Sequence, residues 1–421
     1  MSQEQTAKRA ASNRPAGAHP GEGKRRRRGA PGKIKTRHGV DITLLVVLLL
    51  LMVIGLIMIY SSSGYTSLTM EKSTSSYSFL KKQLLAEFLG AFATLLICVF
   101  PFDVVRIFGK KGGRILLLIV ATFLMLLLKT NYGVNVNGAT RWVNLFGVVQ
   151  FQPAEFVKIA LIFFMAGVID EHPLVMQKPK SKRFLTVVVV ILVNVMLVYK
   201  ISSNLSSAII VGAIGFGMMF FVIRSWWIYV TLGGALGAVV VMVQKYVNKM
   251  AAENRVDEMA YQLKRVLVWQ HPESYLKSGG YQTVQALYAI GSGGFAGKGL
   301  GNGVQKIGVI PEVYNDMIFS EVCEEMGLIG AMLILFLFAI LLFRVLYIAN
   351  NSGTLFERMF CLGVFVHIAL QVILNIMVVT NTMPNTGVSL PFFSYGGTSA
   401  AFLTVEMGIV LAISRRIEVK E

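Results

Sequence analysis

The sequence predicts an all-α fold: a polytopic membrane protein, a bundle of about ten transmembrane helices with a large extracytoplasmic loop before helix eight. Three observations carry that reading. Of 421 residues, 55% are hydrophobic and only 15% charged, against about 25% charged in a soluble domain. Apolar stretches near the roughly 20 residues needed to cross a bilayer recur along the chain. One interval between them, residues 245–315, is too long for a simple connection, and loops of that size are functional or disordered.

Residues 1–40 read as a disordered basic cytoplasmic tail. Residues 1–38 hold 11 Lys/Arg and 2 Asp/Glu, a net +9 of the chain's +18. The run Lys24-Arg25-Arg26-Arg27-Arg28 lies among Gly, Ala, Pro and Ser, a composition that builds no core. A nucleic-acid arm is one use for such a run. A tail that holds the N-terminus inside and rests on anionic membrane lipid is the plainer one, so no nucleic-acid partner is expected. The first apolar run, Ile42 to Tyr60, lacks a small-residue cleavage site and reads as an anchor. Cys98, Cys323 and Cys361 lie in or beside apolar segments, and five histidines are scattered singly. Neither a disulfide framework nor a metal centre is expected from them.

Spans are expected at 41–60, 83–100, 114–129, 151–169, 184–200, 205–223, 226–244, 316–345, 358–379 and 391–413. They form one membrane domain over 41–416, with 417–421 as a short cytoplasmic end. An even number of crossings puts both termini on one side. Arg106, Lys110, Lys111, Arg114, Lys182, Arg183, Arg415 and Arg416 crowd the short segments of that side, which the positive-inside rule makes cytoplasmic; Lys81-Lys82 on the outer side is the exception. The outer loops are then 130–150, 245–315 and 380–390. In the large loop, Val256, Met259, Ala260, Leu263, Val266 and Leu267 form an apolar stripe. It predicts an amphipathic helix lying on the interface or on the protein's own surface. No internal repeat stands out, which weakens the case for a transporter of inverted halves.

Three blocks carry chemistry. In NGATRWVNLFGVVQFQPAEFVKIA, residues 137–160, Arg141 offers a forked donor for phosphate and Trp142 a flat face for sugar or lipid; an interfacial anchor pair is the bland alternative. Pro153 suits a first helical turn. Glu155 and Lys158 share one face as a functional or, more plainly, a structural ion pair. In the second block, residues 279–327, glycine crowds 291–303 beside Lys298 and Lys306, a loop whose N–H groups can approach an anion closely. Gln282 and Gln285 precede it as candidate substrate contacts. Pro311 reads as a helix start that sets Glu312 and Asp316 one turn apart. Two carboxylates beside a basic glycine-rich loop suit transfer from a pyrophosphate donor to a sugar hydroxyl. Acids favoured by a helix N-terminus are the competing explanation. The third block, residues 381–400, is a Pro/Gly-rich turn carrying Ser394 and Tyr395, suited to roofing a cavity. Glu321, Glu324, Glu325 and Glu406 fall inside spans and are expected to face the bundle interior or water.

Together these blocks resemble the SEDS family (shape, elongation, division, sporulation: FtsW, RodA and SpoVE) from about Asp41 to Arg416. Asn137, Gly138, Ala139, Arg141, Trp142, Phe151, Gln152, Pro153, Glu155, Phe156 and Lys158 match its first motif, with Thr140 and Ala154 as departures. Pro311, Glu312, Asp316, Ile318 and Phe319 match the second. Thr386, Gly387, Leu390, Pro391, Phe392, Ser394, Tyr395, Gly396, Gly397 and Ser399 match the third. Gly299-Leu300-Gly301-Asn302 followed by Gln305-Lys306 is similar to the FtsW/SpoVE branch more than to RodA.

The resemblance implies a ten-helix bundle that polymerises lipid II into glycan strands at the outer face of the bacterial cytoplasmic membrane, in division, elongation or sporulation. It implies a class B penicillin-binding protein, a transpeptidase, as partner, and an essential aspartate at Asp316, the expected general base. Arg141, Lys158 and Lys306 become candidate clamps for the undecaprenyl pyrophosphate. No cofactor is evident, and a divalent cation is left open. Where relatives show Pro-Asp-Leu-Gly-Thr before helix six, this chain has Ser203-Asn204-Leu205-Ser206-Ser207, which puts any role of that carboxylate in question. Two other functions fit the same bundle: a lipid II flippase that works through the intramembrane acids, and a non-catalytic scaffold that recruits the transpeptidase.

Overall fold

The structure, a computed structural model, describes residues 34–36, 39–69, 77–100, 104–136, 139–145, 149–176, 181–223, 227–306, 310 and 313–420. Residues 1–33 and 37–38 of the basic tail and Asn137, Gly138, Pro311 and Glu312 lie outside the described residues. The chain runs through α1 (Ile42–Thr69), α2 (Ser78–Val99), α3 (Lys111–Leu127), α4 (Pro153–Glu171), α5 (Lys182–Ser202), α6 (Leu205–Phe220) and α7 (Trp227–Ala252). The large loop then folds α8 (Tyr261–Gln270) and α9 (Gly280–Gly293), before α10 (Ile318–Asn351), α11 (Leu355–Val379) and α12 (Thr398–Ser414). Apart from the two loop helices, these fall on the ten expected spans. Among the described residues, six helices (α1, α2, α5, α7, α10 and α11) are long and apolar enough to cross a membrane, and α6 and α12 are shorter apolar helices.

The centre of the bundle is α4, which starts with Pro153 in its first turn and is buried on almost every side to Ile169. A helix apolar all round has no face to give to water or headgroups, and this one packs against α3, α6 and α11. Around it α2 packs on α12, α1 and α11 on α10, and α5 on α6. Near the C-terminal end of α10, the carboxylate of Asp41 caps the amide of Leu44 (2.9 Å) on α1. It also pairs with Arg344 of α10, while the Asp41 amide donates to Ser414 Oγ of α12 (2.9 Å).

The structure departs from the sequence reading in four places. First, loop 130–150 contains an antiparallel sheet, β1 (Gly133–Val136), β2 (Ala139–Leu145) and β3 (Val149–Phe151), in the order β1-β2-β3. Val134 pairs with Trp142 and Val143 with Phe151. Short strands with alternating valines carry little hydropathy signal against the spans on either side. Second, the amphipathic stripe is broken: a 3-10 turn at Val256–Glu258 precedes α8. Its apolar residues Met259 and Leu267 pack with Val247 and Met250 of α7, so the stripe covers the chain's own surface. Third, the helix expected at Pro311 begins at Ile318, and Asp316 lies in the turn before it.

Fourth, α10 is broken at Gly327, whose φ of +68° interrupts the helical ladder. The glycine-rich loop laces the break. Lys298 N–H donates to Glu324 O (2.9 Å) and Gly299 N–H to Glu325 O (3.0 Å), while Leu328 and Ile329 N–H donate to Gly294 O (2.9 Å) and Phe295 O (3.1 Å). Four backbone groups of α10 at the kink thus find partners in the loop, as burial favours.

The departure from Pro-Asp-Leu-Gly-Thr has a local explanation. Asn204 is the N-cap of α6, its side-chain oxygen accepting from Ser207 N–H (3.0 Å). Asn and Asp serve that position about equally well, so the cap survives the change even though the charge does not. Asn204→Ala is therefore expected to destabilise the detergent-solubilised protein by about 1 kcal/mol, and Asn204→Asp to leave it near the parental value. Thermal unfolding of the two variants side by side checks this; equal losses in both would remove the cap explanation.

Candidate functional site

The turn Val313–Met317 carries Asp316, half-buried, to the place where three segments meet. Its main-chain oxygen accepts from Nδ2 of Asn375 on α11 (2.8 Å), and the same amide donates to Val388 O (2.8 Å) in loop 380–390. One buried side chain thereby holds the aspartate's backbone and the neighbouring loop in register. The carboxylate Oδ1 accepts from Gln282 Nε2 on α9 (3.3 Å). Gln282 Oε1 in turn accepts from Asn385 Nδ2 (3.1 Å), which fixes which way the glutamine amide faces. On the Oδ2 side stands Gly387, whose φ is +68°; a Cβ there would lie 3.7 Å from Oδ2.

Loop 380–390 is held by its own carbonyls, a way to immobilise a segment with no regular structure. Trp269 Nε1 and Arg265 Nη1 of α8 donate to Asn381 O (2.9 Å) and Asn385 O (3.0 Å). Ser206 Oγ at the start of α6 donates to Thr386 O. Beyond the loop, Ser394 Oγ accepts from Leu390 N–H (2.7 Å) and so closes the turn. Tyr395 N–H donates to Tyr314 O (2.8 Å), and the rings of Phe79, Tyr314 and Tyr395 pack within 4.6–5.9 Å of one another. Gln83 of α2 accepts from the amides of Gly396 (3.2 Å) and Gly397 (3.0 Å).

Of the expected site residues, Gln282 touches Asp316 directly and Tyr395 is joined to its turn through Tyr314. Gln285 lies one helical turn along α9, half-buried. Arg141 and Trp142 sit half-buried on β2, in a sheet that packs on the start of α4 and on α12. The order of the chain places that sheet at the same end of the bundle as the turn of Asp316. Asn375, Asn385, Arg265 and Gln83 went unnoticed in the sequence. For Asn375 and Gln83 the signal was there, since an amide inside an apolar span needs a partner; Asn385 and Arg265 look like ordinary loop residues.

Two expected clamps are committed elsewhere. Lys158 is 1% exposed and pairs with Glu155 (2.7 Å), the structural ion pair of the plainer reading. Lys306 is buried against Glu325, with its Nζ also 2.7 Å from Ser61 Oγ of α1 and 3.8 Å from Glu321. The glycine-rich loop does cradle anions, but they are the chain's own. Glu324 accepts from Val304 N–H and Gln305 N–H (both 3.1 Å) and pairs with Lys298 (2.6 Å). Glu325 accepts from Gly303 N–H (3.3 Å) and from Ser61 Oγ (2.7 Å). Glycine is required for this closeness: a Cβ on Gly303 would stand 2.1 Å from Glu321 Oε1, and one on Gly297 (φ +76°) 2.2 Å from Glu325 O. Among the described residues, no group of three or more His, Cys, Asp or Glu is assembled that could hold a metal ion.

Comparison with known proteins agrees with this architecture. The family model described as cell cycle protein, covering FtsW, RodA and SpoVE, matches residues 41–418. The chain is 33% identical over 374 residues to a probable peptidoglycan glycosyltransferase FtsW of Trichlorobacter lovleyi, covering 89% of this chain and 93% of that protein. It is also 33% identical over 378 residues to the stage V sporulation protein E of Bacillus subtilis, covering 89% and 97%. Among solved structures it resembles a chain from a peptidoglycan synthase complex that coordinates polymerization and crosslinking (TM-score 0.69, 24% identity, 89% and 98% covered). The rod shape determining protein RodA of Thermus thermophilus is similar at TM-score 0.57 and 22% identity, with 89% and 97% covered.

The internal role of Lys306 is testable apart from any activity. Lys306→Met strands the buried carboxylate of Glu325 and is expected to cost about 3–5 kcal/mol, seen as loss of folded yield and a large fall in Tm. Adding Glu325→Gln should restore most of it. If Lys306→Met keeps its full Tm, the lysine is not part of the scaffold and the clamp role returns.

Proposed function

The chain belongs to the FtsW/RodA/SpoVE family, and on that premise we propose that it is a peptidoglycan glycosyltransferase whose reacting end is the turn carrying Asp316. The observation that carries the assignment is the setting of that carboxylate. It lies outside the spans, half-buried, with its backbone clamped by Asn375 and one oxygen held by Gln282. A general base has to reach a substrate proton while its own position is held by the protein, and this aspartate is fixed at both its main chain and its side chain.

The chemistry is glycosyl transfer from a lipid-borne pyrophosphate. Asp316 takes the proton of the acceptor GlcNAc 4-hydroxyl as its oxygen attacks C1 of the donor MurNAc. The C1–O bond to phosphate breaks with inversion, and undecaprenyl pyrophosphate departs with the electron pair. Arg141, with its forked guanidinium on the sheet at the same end, is the remaining candidate to meet the pyrophosphate. Any divalent cation would arrive as the counter-ion of that pyrophosphate. Trp142, Gln285 and Tyr395 supply flat and amide faces of the kind sugars use. Both termini face the cytoplasm and the Asp316 turn faces outward, the orientation that the Lys/Arg distribution supports. A class B penicillin-binding protein is the expected partner, consistent with the family likeness to a synthase complex.

Purified protein supplied with labelled lipid II, with and without the partner transpeptidase, tests this. The parent chain is expected to form glycan strands, and Asp316→Asn to lose activity by at least about 100-fold while keeping its Tm. Strands formed by Asp316→Asn at the parental rate would dismiss Asp316 as the base. Lipid II translocation without any polymer would turn the assignment to a flippase, and transpeptidase binding with neither would leave a scaffold.

A further inference from the structure

The helix α7 stands apart from the rest of the bundle. None of the eighteen residues of its most apolar window is buried, although it is 26 residues long. It meets α8 at its far end and, at its near end, the ring of Tyr229 packs edge-on against Phe220 of α6 (4.9 Å). Between these points α7 leaves a groove against α5 and α6, with a volume of about 400 Å³. Phe184 and Val188 of α5, Phe216 and Met219 of α6, and Leu232 and Ala235 of α7 form its walls.

Three features of this groove point to one kind of occupant. Its walls are apolar and open towards the surrounding membrane, and its size is that of a small-molecule site; a transmembrane helix, about 10 Å across, does not fit. Two hydroxyls break the apolar lining: Thr231 Oγ1 donates to Ile228 O (3.0 Å) within α7, whereas Tyr229 Oη is buried and has no hydrogen-bond partner, an uncompensated donor inside hydrocarbon. Lys182 and Arg183, both exposed, directly precede the wall residue Phe184. Arg183 spends one Nη1 donor on His172 Nδ1 (2.7 Å) and keeps the others for an anion.

We propose that the groove between α5, α6 and α7 binds one anionic membrane phospholipid, with an acyl chain along the apolar walls, an ester oxygen accepting from Tyr229 Oη and the phosphate against Lys182 and Arg183. Basic residues at the end of an apolar cleft between spans are the chemistry that selects anionic headgroups. The site is separate from the reacting end. It uses the first third of α7, whereas α8, which clips loop 380–390, follows the last; some 25 Å of helix lies between Ala235 and that end. The bound lipid fills the wedge that holds α7 away from the bundle.

Native mass spectrometry of the full chain, released from bilayer discs of mixed phosphatidylglycerol and phosphatidylcholine, reads this directly. The parent is expected to retain one phosphatidylglycerol. Filling the groove from either wall, with Ala235→Trp or with Val188→Trp, should abolish that retention in protein that still elutes as a monodisperse species. The pair Lys182→Gln/Arg183→Gln should lower the preference for phosphatidylglycerol over phosphatidylcholine by on the order of tenfold. Tyr229→Phe should weaken retention of both lipids. Equal retention in parent and filled variants, meaning annular lipid only, overturns the proposal. A polyprenyl-linked molecule or a co-purifying polypeptide in the groove overturns it as well. None of these residues touches the turn of Asp316, so failure here leaves the polymerisation assay unaffected.

Discussion

The structure depends on how the glycine-rich loop is seated on the broken first half of α10. A carboxylate in the low dielectric of a span is tolerated only when paired and hydrogen-bonded. Glu324 and Glu325 meet that demand with Lys298, Lys306, Ser61 and three backbone amides from residues 303–305. The same contacts decide where the chain can go next. With residues 294–306 pinned to α10 by charge and by the laced kink at Gly327, the chain has only the stretch from Ile307 to Met317 in which to re-enter the helix. Asp316 is placed at the end of that return, and Ser61 ties the same cluster to α1.

Rigidity at the end that carries Asp316 is achieved without regular structure. Loop 380–390 has Pro384 and Gly387 and no helix or strand, yet four side chains from α6, α8 and α11 hold its carbonyls. A carbonyl fixes the path of the chain whatever its side chain is, so the anchoring leaves side chains such as Asn385 free to point at Gln282. Asn375 is the economical part of this arrangement: one buried amide group donates to two main-chain oxygens 72 residues apart in sequence, Asp316 and Val388. Loops that carry function on a rigid scaffold follow this general pattern.

What the sequence made legible followed its physics. Hydropathy registers apolar helices whether lipid or protein surrounds them, and the spans could be read because each is an apolar run, six of them among the described residues long enough to cross a membrane. Pro153 at a first turn and Glu155 with Lys158 on one face are local, and both were readable. The sheet at Gly133–Phe151 was not, because its strands are short and β-periodicity over three to seven residues is weak beside a twenty-residue span. The glycine-rich loop was read correctly as an anion cradle, but its anion was misplaced. Composition says that N–H groups and lysines gather; it does not say that the matching carboxylates lie nineteen to twenty-six residues further on, in the helix behind them. Gln282 to Asp316, and Asn375 to Val388, are long-range contacts between ordinary residue types, and nothing local announces them.

The placement of the buried acids separates the functions that share this bundle. A carrier moving a charged headgroup through the membrane has to give up internal ion pairs and remake them around its cargo. Here Glu155 lies 2.7 Å from Lys158 and Glu406 2.9 Å from His367, and of the three acids of α10 Glu324 and Glu325 are each bound to lysine while Glu321 lies 3.8 Å from Lys306. Removing one partner from such a pair costs about 3–5 kcal/mol, so these groups are fixed: within α4, between α11 and α12, and between α10 and the glycine-rich loop. The carboxylate of Asp316 differs in kind. It sits in a turn outside the spans, and its Oδ1 accepts from the neutral amide of Gln282. A fixed frame with one poised carboxylate at its end suits a reaction carried out on a substrate that reaches that end, and it gives the bundle little of the machinery for carrying a substrate through its interior.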